Sequence, residues 1–159
     1  MEKVDIVGEN YLGHYKQTRC ASRAIIIKDD MILLSYEKNN DLYMVPGGGL
    51  EENETAKECA IREVEEETGF IIHVNDCLLE IDEYYEENKY ITKYFAGSII
   101  DKGVIKLTPG EALDGMEPRW IKVNDAISKF ANFEKIKDHN EMHGGLYFRE
   151  YTALKKILN

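Results

Sequence analysis

A run of three glycines followed by a strongly acidic segment is the feature that most restricts the fold of this chain. Gly47, Gly48 and Gly49 lead into residues 51–67, which contain eight glutamates, one lysine and one arginine. A net charge of −6 within 17 residues repels itself in a compact fold. The fold must therefore spread these charges, pair them, or gather them around a cation.

The acidic segment also carries the signals of a helix over residues 55–68. Thr55 is a good N-cap, and Glu58 three residues later completes a capping box. Gly69 suits the left-handed residue that commonly ends a helix. The apolar positions form one buried stripe, made of Ala60, Ile61 and Val64.

Three glutamates of this helix share one face. At about 100° per residue, Glu63, Glu66 and Glu67 fall within an arc of about 100°, whereas Glu65 lies on the opposite side and is expected to face water. Converging carboxylates form a hard-oxygen site that suits Mg²⁺ or Mn²⁺. The sequence therefore predicts a divalent metal site on this face.

Neighbouring residues are placed to support such a site. Arg62 precedes Glu66 by four residues and can brace its carboxylate, and Glu54 can reach the same guanidinium across two turns. The glycines let the backbone approach the helix closely, so one of their carbonyls is a candidate further ligand.

Length and charge limit the other readings. With 159 residues the chain is one domain, and a net charge of −10 argues against nucleic acid or an anionic membrane as the main partner. The acidic start lacks an apolar signal core, and three cysteines without a CxxC pattern indicate reduced thiols. A cytoplasmic location is expected.

The remaining pattern indicates strands with a few helices, which favours a layered α/β sandwich. Strands are predicted at 24–27 and 31–36 as a hairpin, at 42–45, at 70–74 and 77–81 (separately or as one bent strand), at 90–100 and at 119–123. Residues 108–115 are predicted as a loop, 125–130 as a short helix and 147–158 as a final helix that follows Gly144 and Gly145.

Nine residues at fixed spacing resemble the Nudix box, G-x5-E-x7-R-E-U-x-E-E-x-G-U, where U is a bulky apolar residue. They are Gly48, Glu54, Arg62, Glu63, Val64, Glu66, Glu67, Gly69 and Phe70. On this resemblance, the chain is identified as a member of the MutT-like Nudix hydrolase family. The resemblance implies an α/β/α sandwich around a mixed β-sheet, with a single domain over residues 18–159 and an N-terminal extension over residues 1–17.

The resemblance also implies an activity and its residues. Nudix enzymes hydrolyse nucleoside diphosphates linked to another group, and one to three divalent ions such as Mg²⁺ or Mn²⁺ assist the attack of water on phosphorus. By position, the metal ligands would be Glu63, Glu66, Glu67 and the Gly47 carbonyl. The catalytic residues would be Glu63 and Glu66 together with Arg62 and Glu54, the last two as orienting residues.

The general base is left open by the resemblance. It is either a box glutamate or a carboxylate on a later loop, and in this chain that loop offers Glu111, Asp114 and Glu117. Candidate substrate contacts are Arg23, Tyr36, Tyr43 and Tyr84, although each of them is also explained by surface charge or packing.

The substrate is indicated only by spacing. Relatives that resemble ADP-ribose pyrophosphatases often carry a proline about fifteen residues after the box, and this chain has none there. Relatives that resemble dinucleoside-polyphosphate hydrolases often carry a tyrosine near that spacing, where this chain has Tyr84 and Tyr85, so the resemblance favours a nucleotide or dinucleoside polyphosphate. The alternatives are a catalytically inactive Nudix-fold nucleotide sensor or binding module, and a plain acidic interaction domain. A homodimer is an assembly that the resemblance allows.

Overall fold

The computed structural model describes residues 1–158, so Asn159, the last residue of the predicted domain, lies outside the described residues. The described part contains eight strands and five helices. In chain order they are β1 (Glu2–Val7), β2 (Gln17–Lys28), β3 (Met31–Glu37), β4 (Leu42–Met44), β5 (Gly47–Gly49), α1 (Ala56–Thr68), β6 (Phe70–Tyr85), β7 (Asn88–Lys102), α2 (Pro109–Leu113), β8 (Met116–Lys122), α3 (Val123–Phe130), α4 (Phe133–His139) and α5 (Glu141–Ile157).

The strands form one mixed sheet in the order β1-β6-β7-β2-β3-β4, with β5 paired to β2 and β8 paired to β3. The β1/β6 and β2/β7 pairs are parallel, and the other pairs are antiparallel. Helix α1 packs against one face, whereas α3 and α5 pack against the other. The predicted α/β/α sandwich around a mixed sheet is therefore confirmed.

Alternation along the strands supplies a core on each face of the sheet. Below α1, Ala60 and Val64 pack with the sheet residues Ile26, Ile72 and Phe95. The larger core on the other face contains side chains of β2, β3, β6 and β7 together with those of α3 and α5. Consecutive residues of a strand therefore belong to different cores.

Helix α1 begins and ends at the predicted signals. The Thr55 hydroxyl accepts from the Glu58 amide and the Glu58 carboxylate accepts from the Thr55 amide, both at 3.1 Å. Gly69 ends the helix in the left-handed conformation, with φ of 79°. Glu65, expected to face water, is half-buried, and its carboxylate accepts from the backbone amide of Val104, an exposed residue, at 3.4 Å.

Two other predictions are corrected. The predicted loop at 108–115 contains α2, which has its own capping box between Thr108 and Glu111. The final helix starts at Glu141, so Gly144 lies inside it rather than before it. A Cβ atom on Gly144 would lie 2.6 Å from the Lys137 Cα, so glycine permits the close packing of α4 and α5.

The first residues of the chain contribute a strand to the sheet. Strand β1 runs parallel to β6, and the Lys3 ammonium lies 3.1 Å from the carboxylate of Asp82, whose side chain is fully buried. The three cysteines form no disulfide. Among the described helices, none combines the length and apolar character needed to cross a lipid bilayer.

Candidate active site

Three carboxylates from two separate helices converge beside the glycine strand. One oxygen of each of Glu63, Glu67 and Glu111 lies within 4.8 Å of the others. Glu63 and Glu67 are one turn apart on α1, and α2 supplies Glu111. We call these three residues the carboxylate cluster.

Glu67 is the most buried member of the cluster, with 2% of its surface exposed. Its carboxylate accepts a hydrogen bond of 2.7 Å from the Ser35 hydroxyl on β3. The pKa of Glu67 lies well above its usual value. Burial raises it most, and the charges of Glu63 and Glu111 add to the rise, whereas the Ser35 hydroxyl and the Arg23 charge oppose it. A cation in the cluster would favour the ionised form of all three carboxylates, so this donor set fits a hard divalent ion.

Arg62 connects the other charges of the segment. Its guanidinium donates twice to Glu54, at 2.7 and 3.0 Å. Its Nη1 donates to Glu63 at 2.9 Å and to Glu66 at 3.1 Å. The hydrogen bonds from Arg62, aided by its charge, lower the pKa of Glu54 to about 2. The contacts that the spacing predicted for Arg62 are therefore present.

The glycine strand lies directly against α1. A Cβ atom on Gly48 would lie 2.6 Å from the Glu63 carboxyl carbon, and one on Gly47 would collide with the Ser22 carbonyl. The Gly48 carbonyl accepts from the Cys59 thiol at 3.3 Å, and the Gly49 carbonyl accepts from Arg62 at 3.0 Å. The absence of side chains thus lets β5 pack against the cluster.

The structure separates the three downstream candidates for the general base. Glu111 reaches the carboxylate cluster, and one of its oxygens also accepts from the Thr108 amide at 2.9 Å. Asp114 ends α2, where its carbonyl accepts from the Asn39 amide. Glu117 lies on β8 and pairs with Arg119 at 3.1 Å. Of these three, the structure brings only Glu111 into the carboxylate cluster.

The four candidate substrate contacts are dispersed. Tyr36 and Tyr43 stack on each other at 4.3 Å between ring centres. Because Ser35 faces Glu67, the next residue of the strand, Tyr36, points to the opposite face of the sheet. Tyr84 packs against Tyr11 at 5.3 Å between ring centres.

Arg23, the fourth of these candidates, lies close enough to Glu67 for its charge to oppose the rise that burial causes in the pKa of Glu67. Its guanidinium is held by the Val45 carbonyl.

Sequence reasoning missed Ser35 and left Glu111 among three alternatives. The Thr108–Glu111 capping box, with Pro109 at the first helical position, is a local signal that identifies α2 and the place of Glu111 on it. Ser35 has no comparable signal, because its contact with Glu67 joins residues 32 positions apart in the chain.

Comparisons with known proteins agree with this architecture. The chain is 29% identical over 115 residues to mouse diphosphoinositol polyphosphate phosphohydrolase 3-alpha, covering 72% of this chain and 68% of that protein. It is 42% identical over 67 residues to the ADP-ribose pyrophosphatase of Methanocaldococcus jannaschii, covering 40% of each. The crystal structure of UDP-X diphosphatase superposes with a TM-score of 0.57 at 22% identity, covering 70% of this chain and 54% of that one, which shows a shared fold.

The family comparison covers most of the chain. The family model described as the NUDIX domain matches residues 18–142, a range that contains α1, the glycine strand, Ser35 and Glu111. With this match and the shared fold, the chain belongs to the NUDIX domain family.

Proposed function

We propose that this protein is a metal-dependent pyrophosphohydrolase that cleaves the diphosphate bond of a nucleoside diphosphate linked to another group. The observation that carries the proposal is the carboxylate cluster, in which Glu63, Glu67 and Glu111 converge from two helices. Three like charges this close favour a bound dication, and a dication is what a diphosphate needs at an acidic surface.

Glu63, Glu67 and Glu111 would hold Mg²⁺ or Mn²⁺, as one to three ions, together with the Gly47 carbonyl. Bound there, the metal would neutralise phosphate oxygens and acidify water. Arg62 would orient the carboxylates of Glu63 and Glu66, to which it donates.

We propose that Glu66 is the general base that accepts the proton of the attacking water. Glu66 is not one of the three converging carboxylates, but it accepts from Arg62 Nη1 at 3.1 Å, the same nitrogen that donates to Glu63. Its side chain is 28% exposed, so solvent and substrate can reach it. A general base acts from within hydrogen-bond reach of the water, and its loss typically costs 10²–10⁴-fold in rate.

The relatives favour a diphosphate without defining what it carries. One is named for diphosphoinositol polyphosphates and another for ADP-ribose, and the shared feature is the phosphoanhydride. On the Tyr84 spacing in the sequence, we favour a nucleotide or dinucleoside polyphosphate over ADP-ribose as the small-molecule substrate. The packing of Tyr84 against Tyr11 leaves its role in binding a prediction.

The decisive experiment is a turnover assay with Mn²⁺ against nucleoside polyphosphates, dinucleoside polyphosphates, ADP-ribose and a diphosphoinositol polyphosphate. We expect Glu67→Gln to lose Mn²⁺ affinity, whereas Glu66→Gln retains it and loses about 10²–10⁴-fold in turnover. Glu134→Gln, an exposed residue on α4, is the control and should match the wild type. Binding of a nucleotide without turnover in the wild type would instead support the inactive sensor.

A further inference from the structure

The C-terminal helix reaches the chain segment that leads into the glycine strand. Glu150 on α5 is fully buried, and its Oε2 accepts from the Val45 amide at 2.6 Å. Arg23 on β2 donates through Nη1 to the Val45 carbonyl, also at 2.6 Å. Both backbone polar groups of Val45 are thus held by ionisable side chains, two residues before Gly47.

The second oxygen of Glu150 is held just as firmly. Its Oε1 accepts from the Tyr94 hydroxyl and, at 3.2 Å, from Arg149 Nε. Burial alone would raise the pKa of Glu150, but the charges of Arg149 and Arg23 and its hydrogen bonds hold that pKa below its usual range. An ionised, fully hydrogen-bonded carboxylate has little freedom to move, so it is a rigid anchor for Val45.

The segment beyond Val45 transmits this restraint to the carboxylate cluster. The Pro46 carbonyl accepts from the Ala24 amide at 3.1 Å, and Gly47 then pairs with Arg23 in the sheet. Gly48 follows, and its Cα carries no side chain where the Glu63 carboxylate lies. A shift of Val45 would therefore move the backbone against which Glu63 packs.

We propose that Glu150 and Arg23 are positioning residues, which clamp Val45 and so fix the glycine strand beside the carboxylate cluster. This inference rests on the proposed metal-dependent function. It assigns a role to the C-terminal helix, in which the sequence offers no motif. Groups that orient a metal site without contacting the metal typically change affinity or activity by 10–100-fold when they are removed.

Helix α5 provides a matched control for this clamp. The Tyr147 hydroxyl, about one turn before Glu150, accepts from the Tyr43 amide at 3.0 Å. Tyr147→Phe removes a bond between α5 and the same stretch of backbone, but at a residue farther from the glycine strand. Glu150→Asp keeps the negative charge beside Arg149 and shortens the side chain by about 1.5 Å, which withdraws it from Val45.

The test is Mn²⁺ binding by the full chain, measured from the loss of the free-ion EPR signal. We expect Glu150→Asp to raise the Mn²⁺ dissociation constant by about 10-fold or more, and Tyr147→Phe to change it less than twofold. At saturating Mn²⁺, the turnover of Glu150→Asp should return to within about threefold of the wild type, because Glu150 itself only positions the strand.

Should Glu150→Asp fold poorly, Glu150→Gln keeps the side-chain length. The Arg149 Nε–H favours the amide oxygen on its side, which turns the amide nitrogen towards the Val45 N–H, so the same loss of Mn²⁺ affinity is expected. Wild-type affinity in the folded Glu150 variants, or an equal loss in Tyr147→Phe, would overturn the inference while leaving the proposed function intact. A wild type that binds no Mn²⁺ and hydrolyses no diphosphate would remove both.

Discussion

The ion pair between Glu54 and Arg62 predicts a pH-dependent contribution to stability. The two side chains are 11% and 22% exposed and share two hydrogen bonds of 2.7 and 3.0 Å. Arg62 lowers the pKa of Glu54 from 4.5 to about 2. At 1.36 kcal/mol per pKa unit, that difference corresponds to about 3 kcal/mol, which partial solvent screening reduces to about 1–2 kcal/mol.

The direction with pH follows from the lowered pKa. Glu54 is ionised in the folded state at pH values where the unfolded chain already binds the proton, so its contribution is complete above pH 4.5 and is lost as the pH falls towards 2. Glu54→Gln should therefore cost about 1–2 kcal/mol of unfolding free energy at pH 7, and this cost should shrink below pH 4.5.

Urea denaturation followed by circular dichroism at several pH values between 7 and 3.5 measures this difference. Glu52→Gln is the matched control, because Glu52 is exposed in the same loop. It should change the unfolding free energy by less than about 0.5 kcal/mol at every pH. A cost of Glu54→Gln that stays constant across this range, or that equals the Glu52 control at pH 7, would refute the reasoning.

Three further predictions concern the glycine strand, the N-terminal strand and the metal. Gly48→Ala places a methyl group 2.6 Å from the Glu63 carboxyl carbon and should reduce turnover by about 10²-fold in steady-state kinetics. Gly110→Ala is the control, because its methyl group meets open space and turnover should be retained. Asp82→Asn weakens the ion pairs of a buried carboxylate with Lys3 and Lys89, so it should lower the unfolding free energy by about 2 kcal/mol and speed hydrogen exchange in β1. Asp5→Asn is the control, because Asp5 is exposed and its substitution should change neither quantity. Saturating Mn²⁺ should raise the melting temperature by about 5–10 °C in calorimetry, and no shift would contradict the proposed metal site.

Local signals predicted α1 well because each acts within one or two turns. The capping box and the left-handed Gly69 depend on spacing along the chain alone. The angular placement was right for Glu63 and Glu67, whereas the third carboxylate that meets them is Glu111 rather than the expected Glu66. The same kind of signal was present at Thr108 and Glu111, but the Pro-Gly pair that follows Thr108 is also typical of turns. The start of α5 was not predicted because glycine has a low helix propensity. Gly144 nevertheless lies inside the helix, where a Cβ atom would collide with the backbone of Lys137.

Partners that meet only through the fold were beyond sequence reasoning. Ser35 meets Glu67 because β3 passes beneath α1, and Glu150 meets Val45 because α5 covers the edge strand β4 from the opposite face. Serine and glutamate at these positions have no spacing that points to their partners. The positions were readable as strand and helix, whereas the contacts depend on the order of strands in the sheet.

The charge around α1 argues most directly that a cation belongs in this fold. Five carboxylates surround the site, from Glu54, Glu63, Glu66, Glu67 and Glu111, and the two guanidiniums that act on them are those of Arg62 and Arg23. Arg62 is committed to the first three, and Arg23 is hydrogen-bonded to a backbone carbonyl. With all five carboxylates ionised, a charge of −3 remains. One dication reduces it to −1 and a second makes it +1, so by this count an anionic diphosphate would be attracted only after two dications have bound.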